Sequence, residues 1–118
     1  MAKNIFICYP KCSTCQKAKK FLDSNKIEYT ERHIVTDTPS YDELKKIIEL
    51  SKIDINKFFN TSGILYRSLN LKEKLKELSY EEKIKLLASN GMLIKRPILI
   101  SDKMILIGFK EPEWKSLI

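Results

Sequence analysis

Ile5-Phe6-Ile7-Cys8-Tyr9-Pro10-Lys11-Cys12-Ser13-Thr14-Cys15-Gln16 is the stretch that decides the fold. Its apolar opening, rich in Ile and Phe, reads as a buried strand over residues 3–9. Two thiols separated by two residues follow directly. From Gln16 to Asn25 the pattern turns helical. Cys15, Ala18 and Leu22 fall at i, i+3 and i+7 on one face, with Phe21 alongside, while Lys17, Lys19 and Lys20 point outward. Residues 27–34 then alternate apolar and polar, as a second strand does. A strand, a helix and a strand within about 30 residues form a βαβ unit, which predicts parallel strands and a right-handed crossover.

Outward from this unit the chain changes character. Pro39-Ser40 opens a helix with Ser40 as N-cap and Glu43 three residues on, a capping box, and Leu44, Ile47 and Ile48 form its inner stripe. A short helix around Ile55–Phe59, a loop at Asn60-Thr61-Ser62-Gly63 and two further helical stretches come next. The second of these starts at Ser79, again with a Glu three on (Glu82), and places Tyr80, Ile84 and Leu87 on one face. Asn90-Gly91 is predicted to end it as a C-cap. Strand signals return at 97–101 and 104–108, joined by a hairpin turn at Ser101-Asp102-Lys103. Residues 111–117 read as a last helix with Pro112 in its first turn. The order β-α-β, helical block, β-β-α is that of a thioredoxin-like α/β fold: a mixed four-stranded sheet with an all-helical insertion. The expected organisation is a single domain over 1–118, with its core at about 1–35 and 92–118 and its insert at about 36–91.

Cys12 is the candidate nucleophile. A helix N-terminus presents unpaired amides and partial positive charge, which favour a thiolate, and Lys11 adds a cation. Cys15 lies one helical turn further in, where it can attack a mixed disulfide formed on Cys12 and so act as the resolving thiol. Cys8, in the first strand, reads as a core residue. A zinc site from Cys8, Cys12, Cys15 and His33 has the ligand count but lacks a second CxxC, so no metal is expected. Arg96-Pro97 is the second constellation. A proline opening a strand lacks the ladder donor, and a cis bond there accounts for it. In a thioredoxin-like fold that turn faces the cysteine loop, which puts Arg96 near Cys12 to hold an oxyanion or the thiolate. The phosphatase-type loop, Cys-x5-Arg, is excluded: Thr14, Ala18 and Phe21 stand six residues beyond the three cysteines.

Bulk properties limit the alternatives. The 118 residues are 43% hydrophobic and 31% charged, enough for one soluble core. Apolar runs stop at about five residues, where a membrane span needs about 20, and no secretory leader opens the chain. Three cysteines is an odd number, which fits a reducing compartment with one redox pair and one spare thiol. The expected location is the cytosol. The formal charge of +7 raises nucleic-acid binding, but 19 of the 22 cations are Lys, scattered along helical stretches with Glu. They read as a solvated surface that favours anionic partners rather than a nucleic-acid footprint.

Tyr9-Pro10-Lys11-Cys12-Ser13-Thr14-Cys15, His33 to Leu44 with Pro39 and Glu43-Leu44, Phe58-Phe59-Asn60-Thr61-Ser62-Gly63 with Tyr66-Arg67, Arg96-Pro97, and Gly108-Phe109-Lys110-Glu111 to Trp114 together resemble the ArsC/Spx family over essentially the whole chain. The resemblance implies a thioredoxin-like fold with a helical insert and one of two functional classes. One is the glutaredoxin-linked arsenate reductases, in which the Cys at position 12 attacks arsenate and glutathione completes the cycle. The other is the Spx-type regulators, in which a CxxC disulfide controls binding to the RNA polymerase alpha subunit. The reductases surround the nucleophile with three arginines. Arg96 matches one, whereas Asn60 and Lys110 stand at the other two positions, and Arg67 offers a guanidinium elsewhere. Lys110 keeps the charge but not the bidentate fork. The implied site is therefore Cys12, Cys15 and Arg96 for the chemistry, with Lys11, Ser13, Thr14, Asn60, Arg67, Pro97 and Lys110 around it. No bound cofactor is implied. Glutathione is the expected co-substrate, and glutaredoxin or thioredoxin the expected protein partner. The leading reading is a thiol–disulfide oxidoreductase, with the polymerase-binding regulator as its alternative.

Overall fold

A computed structural model describes residues 4–102 and 104–118. In chain order its main elements are β1 (Ile5–Cys8), α1 (Ser13–Ser24), β2 (Thr30–His33), α2 (Tyr41–Ser51), α3 (Ile64–Ser68), α4 (Leu71–Lys74), α5 (Tyr80–Ser89), β3 (Ile98–Ile100), β4 (Ile105–Ile107) and α6 (Glu111–Trp114). Single 3-10 turns occupy Ile55–Phe58, Leu75–Glu77, Gly91–Leu93 and Lys115–Leu117. The chain divides into two compact units: the stretch through His33 together with Arg96–Ile118, and the intervening Ile34–Lys95.

The first unit is a four-stranded mixed sheet in the order β2-β1-β3-β4. β1 and β2 run parallel, with Ile5 opposite Thr30 and Cys8 opposite His33, as the βαβ pattern predicts. β3 is antiparallel to β1, with Ile7 opposite Ile98, and β4 is antiparallel to β3. Because strand side chains alternate, Phe6 and Cys8 share one face of β1. There they join Cys15, Ala18 and Leu22 of α1, together with Leu99, Leu106 and Trp114, in one buried cluster. Trp114 is fully buried, and its indole Nε1 donates to the Gly108 carbonyl at 3.0 Å. That bond satisfies the one polar atom the ring takes into the core. Gly108 sits at φ 68°, a left-handed conformation that glycine adopts without a Cβ penalty.

Element ends depart from the sequence reading for local reasons. α1 starts at Ser13, three residues early, because Cys12 has an extended backbone and serves as N-cap (φ −84°, ψ 125°), its carbonyl accepting from Gln16 N at 3.0 Å. Ser13, Thr14 and Cys15 therefore form the first turn, although polar and β-branched residues weaken any helical signal there. β2 is shorter than 27–34. Lys26 takes φ 55° and Ile27 N donates back to Leu22 O at 2.9 Å, so these residues close α1 instead of pairing in the sheet. The final helix gives way to a 3-10 turn at Lys115. Lys3, at the start of the expected first strand, and Lys103, in the expected hairpin turn, lie outside the described residues. On either side of Lys103, Ser101 N donates to Met104 O at 2.9 Å.

In the second unit both capping boxes form. Glu43 N donates to Ser40 Oγ at 3.2 Å and Ser40 N to Glu43 Oε1 at 3.0 Å; the corresponding pair at Ser79 and Glu82 measures 3.1 and 2.8 Å. α2 and α5 pack together, burying Leu44, Ile47 and Ile48 from one helix and Ile84 and Leu87 from the other. Tyr80, expected to share a face with Ile84 and Leu87, is exposed in the first turn of α5 while those two are buried. α5 ends at Asn90, its C-cap, as the sequence predicts. Asn90 is extended and its side chain accepts from Met92 N at 2.9 Å, so it caps the 3-10 turn that follows. Gly91 is buried against backbone: a Cβ there would lie 2.0 Å from Ile34 O. Among the described residues no helix is long and apolar enough to cross a membrane.

Candidate active site

Two chain segments of the first unit meet at the cysteine loop. The first leaves β1 through Tyr9 and Pro10 and enters α1. Cys12 N donates to Tyr9 O at 2.9 Å, which folds the loop back and presents Cys12 at the N-cap. Its side chain makes no capping hydrogen bond, and no acidic residue lies in the first turn of α1. The thiol is half-buried. The side chain thus stands over the unpaired amides of the α1 start. Lys11 is exposed in the turn before it; Ser13 is exposed and Thr14 half-buried in the turn after it.

Cys15 is buried at the floor of the loop and is the hub of the hydrogen bonding there. Its thiol donates to Cys8 and accepts from Cys12 and, at 3.3 Å, from Tyr9 N. The contact with Cys8, followed by burial, pushes the Cys15 thiol far above the ordinary thiol range. No disulfide is formed among the three cysteines.

The second segment enters β3. Continuing the antiparallel register of Ile7 with Ile98 sets Pro97 beside Cys8 and Arg96 beside Tyr9. The Arg96–Pro97 bond is cis, as the strand-opening proline suggests. The Arg96 guanidinium lies 5.3 Å from the centroid of the Tyr9 ring, a cation–π arrangement. The same ring meets His33 edge-on at 5.8 Å. Arg96 is thus held against the residue whose carbonyl fixes Cys12 and whose amide fixes Cys15.

Of the remaining expected residues, Lys110 belongs to the first unit and Asn60 and Arg67 to the second. Lys110 is the N-cap residue of α6 and makes an exposed ion pair with Glu113 at 4.0 Å. Asn60 and Arg67 belong to the Ile34–Lys95 unit. Asn60 N donates to Leu93 O at 2.8 Å and its carbonyl accepts from Gly63 N, while Arg67 is exposed on α3. Among the described residues no group of three His, Cys, Asp or Glu side chains is placed to hold a metal ion. Sequence reasoning missed the role of Tyr9, whose amide, carbonyl and ring tie the two segments together. Cys8 is the core residue that was expected, but its hydrogen bond with Cys15 went unread. The alternation Phe6, Cys8 on the helix-facing side of β1 was the available signal that Cys8 points at Cys15.

A thioredoxin-like sheet with a helical insertion and a CxxC at the first helix start defines a class of thiol proteins. Within it, a sequence model of the ArsC family matches residues 8–117, and the chain belongs to that family. YusI of Bacillus subtilis strain 168, described as uncharacterized, is 52% identical over 111 residues, 94% of each chain. The global transcriptional regulator Spx 2 of Bacillus anthracis is 34% identical over 107 residues, 91% of this chain and 80% of that one. Among solved structures, an ArsC family related protein from Bacteroides fragilis superposes with TM-score 0.95 at 52% identity, covering 98% of both chains. A protein described as a possible arsenate reductase, from Streptococcus mutans UA159, gives 0.88 at 42%, covering 98% of this chain and 99% of that one.

Proposed function

We propose that this protein is a thiol–disulfide oxidoreductase in which Cys12 attacks, Cys15 resolves and Arg96 stabilises the anionic sulfur. The observation that carries this reading is the contact between a nucleophile placed at a helix start and a buried, protonated second thiol. The Cys12 thiolate attacks one sulfur of a substrate disulfide; that bond breaks and the other sulfur leaves as a thiolate. Cys15 then attacks Cys12 Sγ, its proton passes to the departing thiolate, and a Cys12–Cys15 disulfide remains. The substrate has gained two electrons. Glutathione, glutaredoxin or thioredoxin returns the dithiol in the cytosol. Arsenate is the second substrate to examine, given the family, although Asn60 and Lys110 replace two guanidinium forks by an amide and an ammonium. Turnover of a glutathione mixed disulfide and of arsenate, with glutathione and glutaredoxin or thioredoxin supplied, tests the proposal. We expect turnover with the mixed disulfide and its loss in Cys12→Ser. No turnover with any couple overturns it.

The similarity to Spx 2 supports a second reading, in which the same disulfide is a signal. That reading predicts capture of the RNA polymerase alpha subunit that changes when Cys12 and Cys15 are oxidised. Absence of capture in both redox states removes this reading.

A further inference from the structure

Cys8 has no part in the scheme above, yet it is the hydrogen-bond partner of Cys15. Both sulfurs line one cavity of about 250 Å³, bordered by Lys19 and Glu31, which form an ion pair at 2.8 Å. Cys15 also touches Cys12, so the three sulfurs form a row with Cys15 in the middle. The middle position decides what can happen. A sulfur in contact with two others can exchange its disulfide partner without movement of the helix that carries it.

We propose that Cys8 is a third redox-active thiol, which takes the disulfide over from Cys12 by attacking Cys15. The step rests on the proposed function, since it starts from the Cys12–Cys15 disulfide. Cys8, as thiolate, attacks Cys15 Sγ. The Cys12–Cys15 bond breaks, a Cys8–Cys15 bond forms, and Cys12 leaves with the electron pair as a thiolate. The proton released by Cys8 is available to Cys12 through solvent. No net oxidation or reduction occurs; the two oxidising equivalents move inward and Cys12 is free again. The cavity beside Lys19 and Glu31 then gives a small thiol such as glutathione access to the new disulfide.

Trypsin cleaves after Lys11 and Lys17, which places Cys8 in the peptide 4–11 and Cys12 and Cys15 together in 12–17. A Cys8–Cys15 disulfide therefore joins two peptides, whereas Cys12–Cys15 stays within one. The folded protein is oxidised with diamide, alkylated, digested and mapped by mass spectrometry. In Cys12→Ser we expect the cross-link between the two peptides as the main product, with its complete loss in Cys15→Ser. In wild type we expect the same cross-link with Cys12 alkylated. In Cys8→Ser we expect the internal Cys12–Cys15 disulfide alone. Oxidised Cys12→Ser in which Cys8 and Cys15 both remain alkylatable overturns the proposal, as does wild type that stops at Cys12–Cys15. Failure of Cys8→Ser to form Cys12–Cys15 counts against the proposed function instead. If Cys8→Ser does not fold, the Cys12→Ser and Cys15→Ser pair still decides the matter.

Discussion

Cys15 and Cys12 are the same residue type three positions apart, and their surroundings separate them. Cys15 is 2% exposed and its thiol donates to Cys8, and both facts favour the neutral thiol. Cys12 is half-buried at an N-cap whose first turn carries no acid. Since only the thiolate reacts with an alkylating agent, iodoacetamide at pH 7 should modify Cys12 first and leave Cys15 untouched in the native state. Peptide mapping against time checks this; equal rates would remove the division of roles. Arg96 differs from a freely solvated arginine in lying over Tyr9. Arg96→Lys keeps the charge but loses the planar stacking and the fork. It should slow Cys12 alkylation nearly as much as Arg96→Ala, whereas full recovery in the lysine variant would mean that charge alone matters.

At the scale of elements, α2 and α5 depend on their caps because each has to begin where its buried stripe requires. Ser40→Ala and Ser79→Ala each remove a side-chain acceptor and should cost about 1 kcal/mol, read from urea denaturation. The second box also titrates. Bonds from Ser79 hold the Glu82 carboxyl below the usual carboxylate range. A depressed folded value means that the contribution is complete above the unfolded pKa of about 4.3 and is lost as pH falls through the folded one. Melting from pH 7 down to pH 3 should therefore destabilise wild type more than Glu82→Gln, which keeps an amide acceptor at every pH. Parallel slopes would show that the carboxylate contributes nothing. These boxes were legible in the sequence because their chemistry is local, Ser and Glu at fixed spacing. Asn90-Gly91 was legible as the end of α5, but its geometry was not, for the opposite reason. The pair looks like a local C-cap, but what fixes Gly91 is backbone at Ile34, far away in sequence.

The whole molecule repeats that distinction. The order of elements along the chain and the placing of Cys12, Cys15 and Pro97 at element starts could be read from strand periodicity, helix start signals and a misplaced proline. The row of sulfurs and the Arg96–Tyr9–His33 stack could not, because they join β1, β2 and the approach to β3 through sheet register that no short pattern encodes. Register and close approach are properties of the folded chain, and Gly91 is where this can be measured. A Cβ at Gly91 meets three backbone atoms, Ile34 O at 2.0 Å, Ile34 C at 2.7 Å and Val35 Cα at 3.1 Å. None can rotate away, so the first and last segments of the Ile34–Lys95 unit must separate to admit a methyl group. Gly91→Ala should then cost about 3 kcal/mol, the upper range for overpacking. Gly63→Ala provides the contrast within the same unit. Its Cβ meets Asn60 Nδ2 at 2.7 Å, the end of a side chain that can turn aside, though Asn60 O at 3.2 Å stays close. It should cost well under half as much. Urea denaturation of the two variants measures the difference, and equal losses would mean that the chain closes this unit by something other than the contact of Gly91 with Ile34.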